Sequence, residues 1–231
     1  MEDRLRDGRG RSLIPAHGDR KNFIKAETAI LPVPHAPEIR LHLADEAMAL
    51  WEKTEEELGA MGLPPPFWAF AWAGGQALAR YILDNPDIVA GKRVFDFAAG
   101  SGLVGIAAAK AGASNVAASE IDDYAIAAIE LNAELNGVQL ETAATDITAG
   151  KLPEAEVMFC GDVFYEKSMA DRITAFLDRL TGRGVPVYIG DPGRSYLPKE
   201  RLERLATYEI QVIRSLEDSE IKKTSVFKFL S

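Results

Sequence analysis

The stretch Arg93–Ala111, RVFDFAAGSGLVGIAAAKA, joins a short β-branched and aromatic run to a glycine turn and then to an alanine-rich helical segment. The run ends at Asp96-Phe97, and Gly100, Gly102 and Gly105 follow. A strand feeding a glycine turn at a helix N-terminus builds a site for a nucleotide-like cofactor. Glycines there let the backbone approach a ligand that a Cβ would hold off. The chain must therefore form at least one α/β unit around this turn.

Two carboxylates narrow the cofactor. Asp96 precedes the glycines and is placed to face a cationic ligand. Glu120 ends the next apolar run about 20 residues on, the spacing of a ribose-binding acid. A dinucleotide would set its pyrophosphate on the turn, where Asp96 repels it. S-adenosylmethionine has no phosphate and carries an ammonium and a sulfonium, so acids around the turn favour it over NAD.

Apolar strands recur at Val94–Phe97, Val116–Ser119, Leu140–Ala144, Val157–Cys160 and Val187–Gly190. Helical segments Leu103–Ala111, Tyr124–Asn136 and Ser168–Leu180 fall between most of them. This alternation predicts right-handed βαβ units and a parallel sheet. Tyr208–Ile213 and Thr224–Phe229 are joined by too few residues for a helical crossover, so the last strand should run antiparallel. The fold class expected is a Rossmann-like, seven-stranded methyltransferase sheet with helices on both faces and an N-terminal extension.

Ligands in such sheets bind beyond the carboxyl ends of the strands. Read in order, those ends supply Asp96 with the glycine turn, then Glu120, Ile121 and Asp122. The third supplies Thr145, Asp146 and Ile147, which would flank an adenine. The fourth supplies Gly161-Asp162-Val163-Phe164-Tyr165, and the fifth Gly190-Asp191-Pro192-Gly193-Arg194. An aspartate after a strand often simply caps the next helix, a bland reading that suits Asp122 as well as a ligand role does. Before all of these lies a proline, aromatic and glycine segment, Pro64 to Gln76. Its tryptophans could merely plug the core, but Trp72 next to Gly74-Gly75 could cover a sulfonium. Gln76 would open a helix at Ala77–Leu83 and reach a bound carboxylate.

At 231 residues the chain suits one α/β domain with an appendage. A formal charge of −9, from 26 basic and 35 acidic residues, disfavours nucleic acid as a partner. No apolar run reaches a membrane span. Met1–Lys21 is polar and expected to be a disordered tail, and its acids argue against a transit peptide, so a cytoplasmic location is expected. Residues 22–63 should form an N-terminal extension, extended over Asn22–Glu38 with one helix at Asp45–Leu58. Residues 64–231 should form the catalytic domain. His17, His35 and His42 have no ligand-like spacing, and no metal is expected.

Phe67-Trp68-Ala69, Trp72-x-Gly74-Gly75-Gln76-Ala77-Leu78, Gly161-Asp162-x-Phe164-Tyr165 and Ile189-Gly190-Asp191-Pro192-Gly193-Arg194 resemble the electron-transfer flavoprotein β-subunit lysine methyltransferases. The likeness runs from about Pro65 to Arg194. That family is similar to a larger group of seven-β-strand enzymes with Asp-x-x-Tyr after the fourth strand, here Asp162 to Tyr165. The resemblance implies S-adenosylmethionine as cofactor and lysine side chains of the flavoprotein β subunit as substrate. A monomer is expected. Asp162 and Tyr165 are the expected catalytic residues: Asp162, also beside the cofactor, would attract the lysine ammonium and orient the amine, and Tyr165 would form part of the access channel wall. Asp191 and Arg194 would lie toward the substrate, Arg194 binding an acidic patch on it or simply pairing with a surface carboxylate. The acid Glu120 departs from the aspartate of animal members by one methylene, which changes reach but not chemistry. The absence of a convincing transit peptide suggests a bacterial member. A ribosomal-protein methyltransferase shares the glycine loop and Leu131-Asn132-x-Glu134-Leu135-Asn136-Gly137. A non-catalytic S-adenosylmethionine-binding partner of the flavoprotein is the other alternative. A nucleic-acid amino-methyltransferase would need Asn/Asp-Pro-Pro-Tyr/Phe where Asp162-Val163-Phe164-Tyr165 stands.

Overall fold

The computed structural model describes residues 17–44, 65–213 and 220–230. Helix α1 (His17–Glu27) leads into a hairpin of β1 (Ala29–Val33) and β2 (Ala36–Leu43). This corrects two expectations: residues 17–21 of the supposed tail are helical, and so is the start of the segment read as extended. Few residues of α1 are apolar, so tertiary contact holds it. Ile24 is buried with Trp68 and Tyr124, and Phe23 meets the Tyr124 ring edge-on at 5.5 Å. Arg20 and Lys21 pair with Asp123 at 2.8 Å and Glu130 at 2.5 Å. Pro32 is tolerated because the strand pairing shifts register immediately after it. The helix expected at Asp45–Leu58 lies outside the described residues.

The main sheet holds β3 (Arg93–Phe97), β4 (Asn115–Glu120), β5 (Glu141–Ala144), β6 (Val157–Gly161), β7 (Val187–Asp191), β8 (Leu202–Gln211) and β9 (Ile221–Phe229). Their order is β5-β4-β3-β6-β7-β9-β8. All pairs from β5 to β7 are parallel, and β9 runs antiparallel to both β7 and β8. The parallel sheet with a reversed last strand is therefore borne out, with that strand lying one place in from the edge.

Successive side chains of each strand face opposite layers. Val94, Val157, Phe159 and Val226 join α2 (Ala73–Asp84) and α3 (Leu103–Lys110) in one core. Phe95, Phe97, Met158, Cys160 and Ile189 meet α5 (Lys167–Thr181) in the other. Helix α4 (Asp123–Leu135) covers Ala118 on the α3 side through Ile126 and Ile129. The strand order reverses at β3, which opens a crevice between the ends of β4 and β6, the place such sheets bind ligands.

Candidate active site

A cavity of about 470 Å³ fills that crevice. Its floor is the turn after β3, with left-handed backbone at Ala98 (φ 52°), Gly100 (φ 54°) and Gly102 (φ 79°). The two glycines adopt this conformation without strain. Gly100 faces the cavity, and its amide donates to Glu120 Oε1 at 2.8 Å while Ile121 N donates to Oε2 at 3.0 Å. Burial raises the Glu120 pKa, and the backbone donors oppose that rise. Ile121 is 73% exposed on the rim. Asp122 caps α4, its Oδ1 accepting from Tyr124 N at 2.8 Å, and burial lifts its carboxyl to about 6.

Asp96 lies behind the turn rather than in the cavity wall. It is 1% exposed, and its Oδ2 accepts from Gly105 N in the first turn of α3 at 2.8 Å. Burial pushes this carboxyl up to about 7. Asp96 thus anchors the helix that follows the glycine turn. Asp146 does line the cavity. Thr148 donates to it from the backbone at 2.9 Å and the hydroxyl at 2.6 Å, holding its pKa low, and Arg172 approaches to 3.6 Å. Ile147 packs toward the α5 core instead.

Asp162 follows β6 with a left-handed backbone, φ 58°. Its Oδ2 accepts from the Gly74 and Gly75 amides at 2.5 and 3.2 Å, and its Oδ1 from Arg194 Nη2 and Nε at 2.8 and 3.2 Å. Asp191 is buried, and its Oδ1 takes the Gly193 and Arg194 amides at 2.6 and 2.7 Å, shaping the loop that presents Arg194. The Arg194 guanidinium lies 5.8 Å from the Trp72 ring centroid. Trp72 donates from Nε1 to Phe67 O at 2.8 Å, and Tyr165, half-exposed, tilts against Phe67 at 5.9 Å. Burial, then Glu120, raises the Tyr165 phenol.

Gln76 points elsewhere. Helix α2 starts at Ala73, so Gln76 falls inside it, 1% exposed. Its amide donates to Ala71 O at 2.7 Å and Gln211 O at 3.2 Å and accepts from His35 N at 3.1 Å. It ties the hairpin and β8 to α2 and leaves nothing aimed at the cavity. Among the lining residues outside the sequence-based expectations are Met169, Arg172 and Ile173, from α5. Their i, i+3, i+4 spacing on a single helix face was the available signal.

The donor set suits a cationic, ribose-bearing ligand. Glu120, Asp122, Asp146 and Asp162 face the space, against Arg172 and Arg194, which lie beside Asp146 and Asp162. A pyrophosphate would meet an acidic balance at the turn.

Residues 76–183 match the family described as ribosomal protein L11 methyltransferase (PrmA). The electron transfer flavoprotein beta subunit lysine methyltransferase of Danio rerio is 35% identical over 218 residues, covering 91% of this chain and 83% of the relative. Its Xenopus laevis counterpart is 36% identical over 215 residues, 90% of this chain and 86% of the relative. By contrast, the ribosomal protein L11 methyltransferase of Aeromonas hydrophila is 53% identical over only 62 residues, 27% of this chain and 21% of the relative. Among solved structures, magnesium protoporphyrin IX methyltransferase from Synechocystis with bound SAH superposes with a TM-score of 0.51 at 12% identity, over 68% of this chain and 82% of that one, a likeness of fold alone. Identity of 35–36% sustained over nine-tenths of its length places the chain in the electron transfer flavoprotein beta subunit lysine methyltransferase family.

Proposed function

We propose that this enzyme methylates lysine ε-amines on the β subunit of electron-transfer flavoprotein, with S-adenosylmethionine as donor. The observation carrying this reading is the acid-lined cavity at the β3 turn in a chain whose family likeness spans nine-tenths of its length. Glu120 would take the ribose hydroxyls, Ile121 and Asp146 the base, and Trp72 with Gly100 the amino-acid end. When bound, the cofactor supplies an electrophilic methyl group on a sulfonium.

The chain's own task is to deliver a neutral amine. Free lysine has a pKa near 10.4, so the amine must shed its proton to water before it attacks. Phe67, Trp72 and Tyr165 form an aromatic wall beside Asp162 that would strip water from the lysine stem and steer it inward. Positioning the two reactants supplies most of the acceleration. The net charge of −9 supports a protein rather than a nucleic-acid substrate. Among the described residues no helix is long and apolar enough to cross a membrane. Separately, we read the enzyme as acting in the cytoplasm and as a monomer.

Intact-mass analysis tests the substrate. Purified enzyme with S-adenosylmethionine should add methyl groups to the flavoprotein β subunit and leave ribosomal protein L11 unmodified. Methylation of L11 with an unmodified β subunit would overturn the reading.

A further inference from the structure

Asp162 is a poor partner for the reaction if it acts alone. An ionised carboxylate within about 4–6 Å of an amine raises the amine's pKa by about 1–3 units. It would hold the incoming lysine as ammonium, whose nitrogen has no lone pair to attack with. The structure sets a guanidinium against this carboxylate. Arg194 contacts Oδ1 through two nitrogens, at 2.8 and 3.2 Å, with the Asp162 side chain 9% exposed and that of Arg194 21%. The pair is held from both sides: Gly74 and Gly75 grip the other Asp162 oxygen, and Asp191 fixes the Arg194 backbone. The Trp72 ring flanks the guanidinium.

We propose that Arg194 is a positioning residue that makes the substrate amine nucleophilic: it cancels the Asp162 charge, so the lysine nitrogen beside the pair releases its proton to solvent. This rests on the lysine methyltransferase reading above. The other charged or titratable groups around the space do not perform this task. Glu120 and Asp122 at the end of β4, Asp146 after β5, Tyr165 and Glu166 after β6, and Asp191 at the end of β7 are anions or potential anions, which favour ammonium. Arg172 on α5 is a cation, but it stands beside Asp146. Arg194 is the cation lodged against Asp162, between the aromatic wall and the start of α2.

The test compares Arg194→Gln, Arg194→Lys and the double variant Arg194→Gln/Asp162→Asn with the wild type. At saturating S-adenosylmethionine, the rising limb of the Arg194→Gln pH–rate profile should move up by about one unit, cutting turnover near neutral pH about tenfold and restoring it in alkali. Arg194→Lys should shift less, and the double variant should return the limb toward the wild-type position. Asp122 and Asp96 also titrate near neutrality, but they are common to every variant and cancel in the comparison.

Calorimetry supplies a readout without turnover. The substrate protein is titrated into enzyme saturated with S-adenosylhomocysteine, which lacks the sulfonium charge, in two buffers of different ionisation enthalpy. The wild type should release more protons on binding than Arg194→Gln. Coincident pH limbs, activity lost equally at every pH, or equal proton release would each overturn the proposal. A wild-type enzyme inactive on the flavoprotein subunit would instead sink the substrate assignment, and the same comparison would then be made on whichever protein it labels.

Discussion

Gly74 and Gly190 meet backbone to backbone: a Cβ on either would overlap the other's carbonyl oxygen. This contact sets the first turn of α2 directly against the end of β7, which brings the Gly74 and Gly75 amides to Asp162. Gly190→Ala should therefore lower stability by about 2–3 kcal/mol, read as a fall in Tm of several degrees. Gly75→Ala meets only Leu103, at an ordinary 3.7 Å, and should leave Tm nearly unchanged.

Gln76 bridges elements distant in sequence. Gln76→Ala would leave the His35 amide and the Ala71 and Gln211 carbonyls short of a partner. The expected cost is about 2 kcal/mol or more of stability, with S-adenosylhomocysteine affinity changed less than about threefold once the protein is folded. A large loss of affinity in a fully folded variant would return Gln76 to the cofactor site.

Glu120 offers two carboxylate oxygens at the turn. Glu120→Ala should weaken S-adenosylhomocysteine binding about 10- to 100-fold, as losing one or two charge-assisted hydrogen bonds implies. Calorimetry checks this, and unchanged affinity would remove Glu120 from the ribose.

Tyr165 separates a wall from a hydrogen-bonding group. Tyr165→Phe keeps the ring against Phe67 and should leave kcat/KM within about twofold, whereas Tyr165→Ala should raise the KM for the protein substrate about tenfold. Equal losses in both variants would make the hydroxyl the working part.

Asp96 predicts a pH dependence of stability. Burial pushes its folded pKa up to about 7, above the ordinary aspartate value of 3.8, so the folded state holds the proton more tightly. Its contribution is complete below about pH 4 and is lost as the pH rises to about 7. Thermal melts of Asp96→Asn should gain on the wild type across that window and run parallel above it. A constant difference in Tm would show that Asp96 is ionised throughout.

The β3–turn–α3 unit and the parallel strands were legible because short apolar runs with glycine punctuation are local signals. What failed was set by distant partners. The sequence puts the start of α2 at Ala77, four residues late, because Gly74-Gly75 reads as a loop, yet glycine at position 74 is imposed by the distant Gly190 backbone, which a Cβ there would overlap. Strand β8 begins at Leu202, six residues before the expected Tyr208, because its polar Glu203 and Arg204 belong to an edge strand exposed to water. Helix α1 leaves no local signal because its partners, Trp68 and the residues of α4, lie about 40 to 110 positions on. In the site, Glu120, Asp146 and Asp162 could be read from strand ends. The Arg194–Asp162 pair spans 32 positions, and Gln76 meets Gln211 across 135, beyond any local pattern.

Ala98 and Asp162 are the non-glycine residues with left-handed backbone among those described, and both border the reaction space. Such a conformation costs about 1 kcal/mol or more at each, so the catalytic crevice is also where the fold is least relaxed. Laboratory evolution for heat resistance alone would be drawn to glycine at these two sites. A library selected that way, with thermotolerance rising as methylation declines, would expose a conflict between durability and turnover written into two dihedral angles.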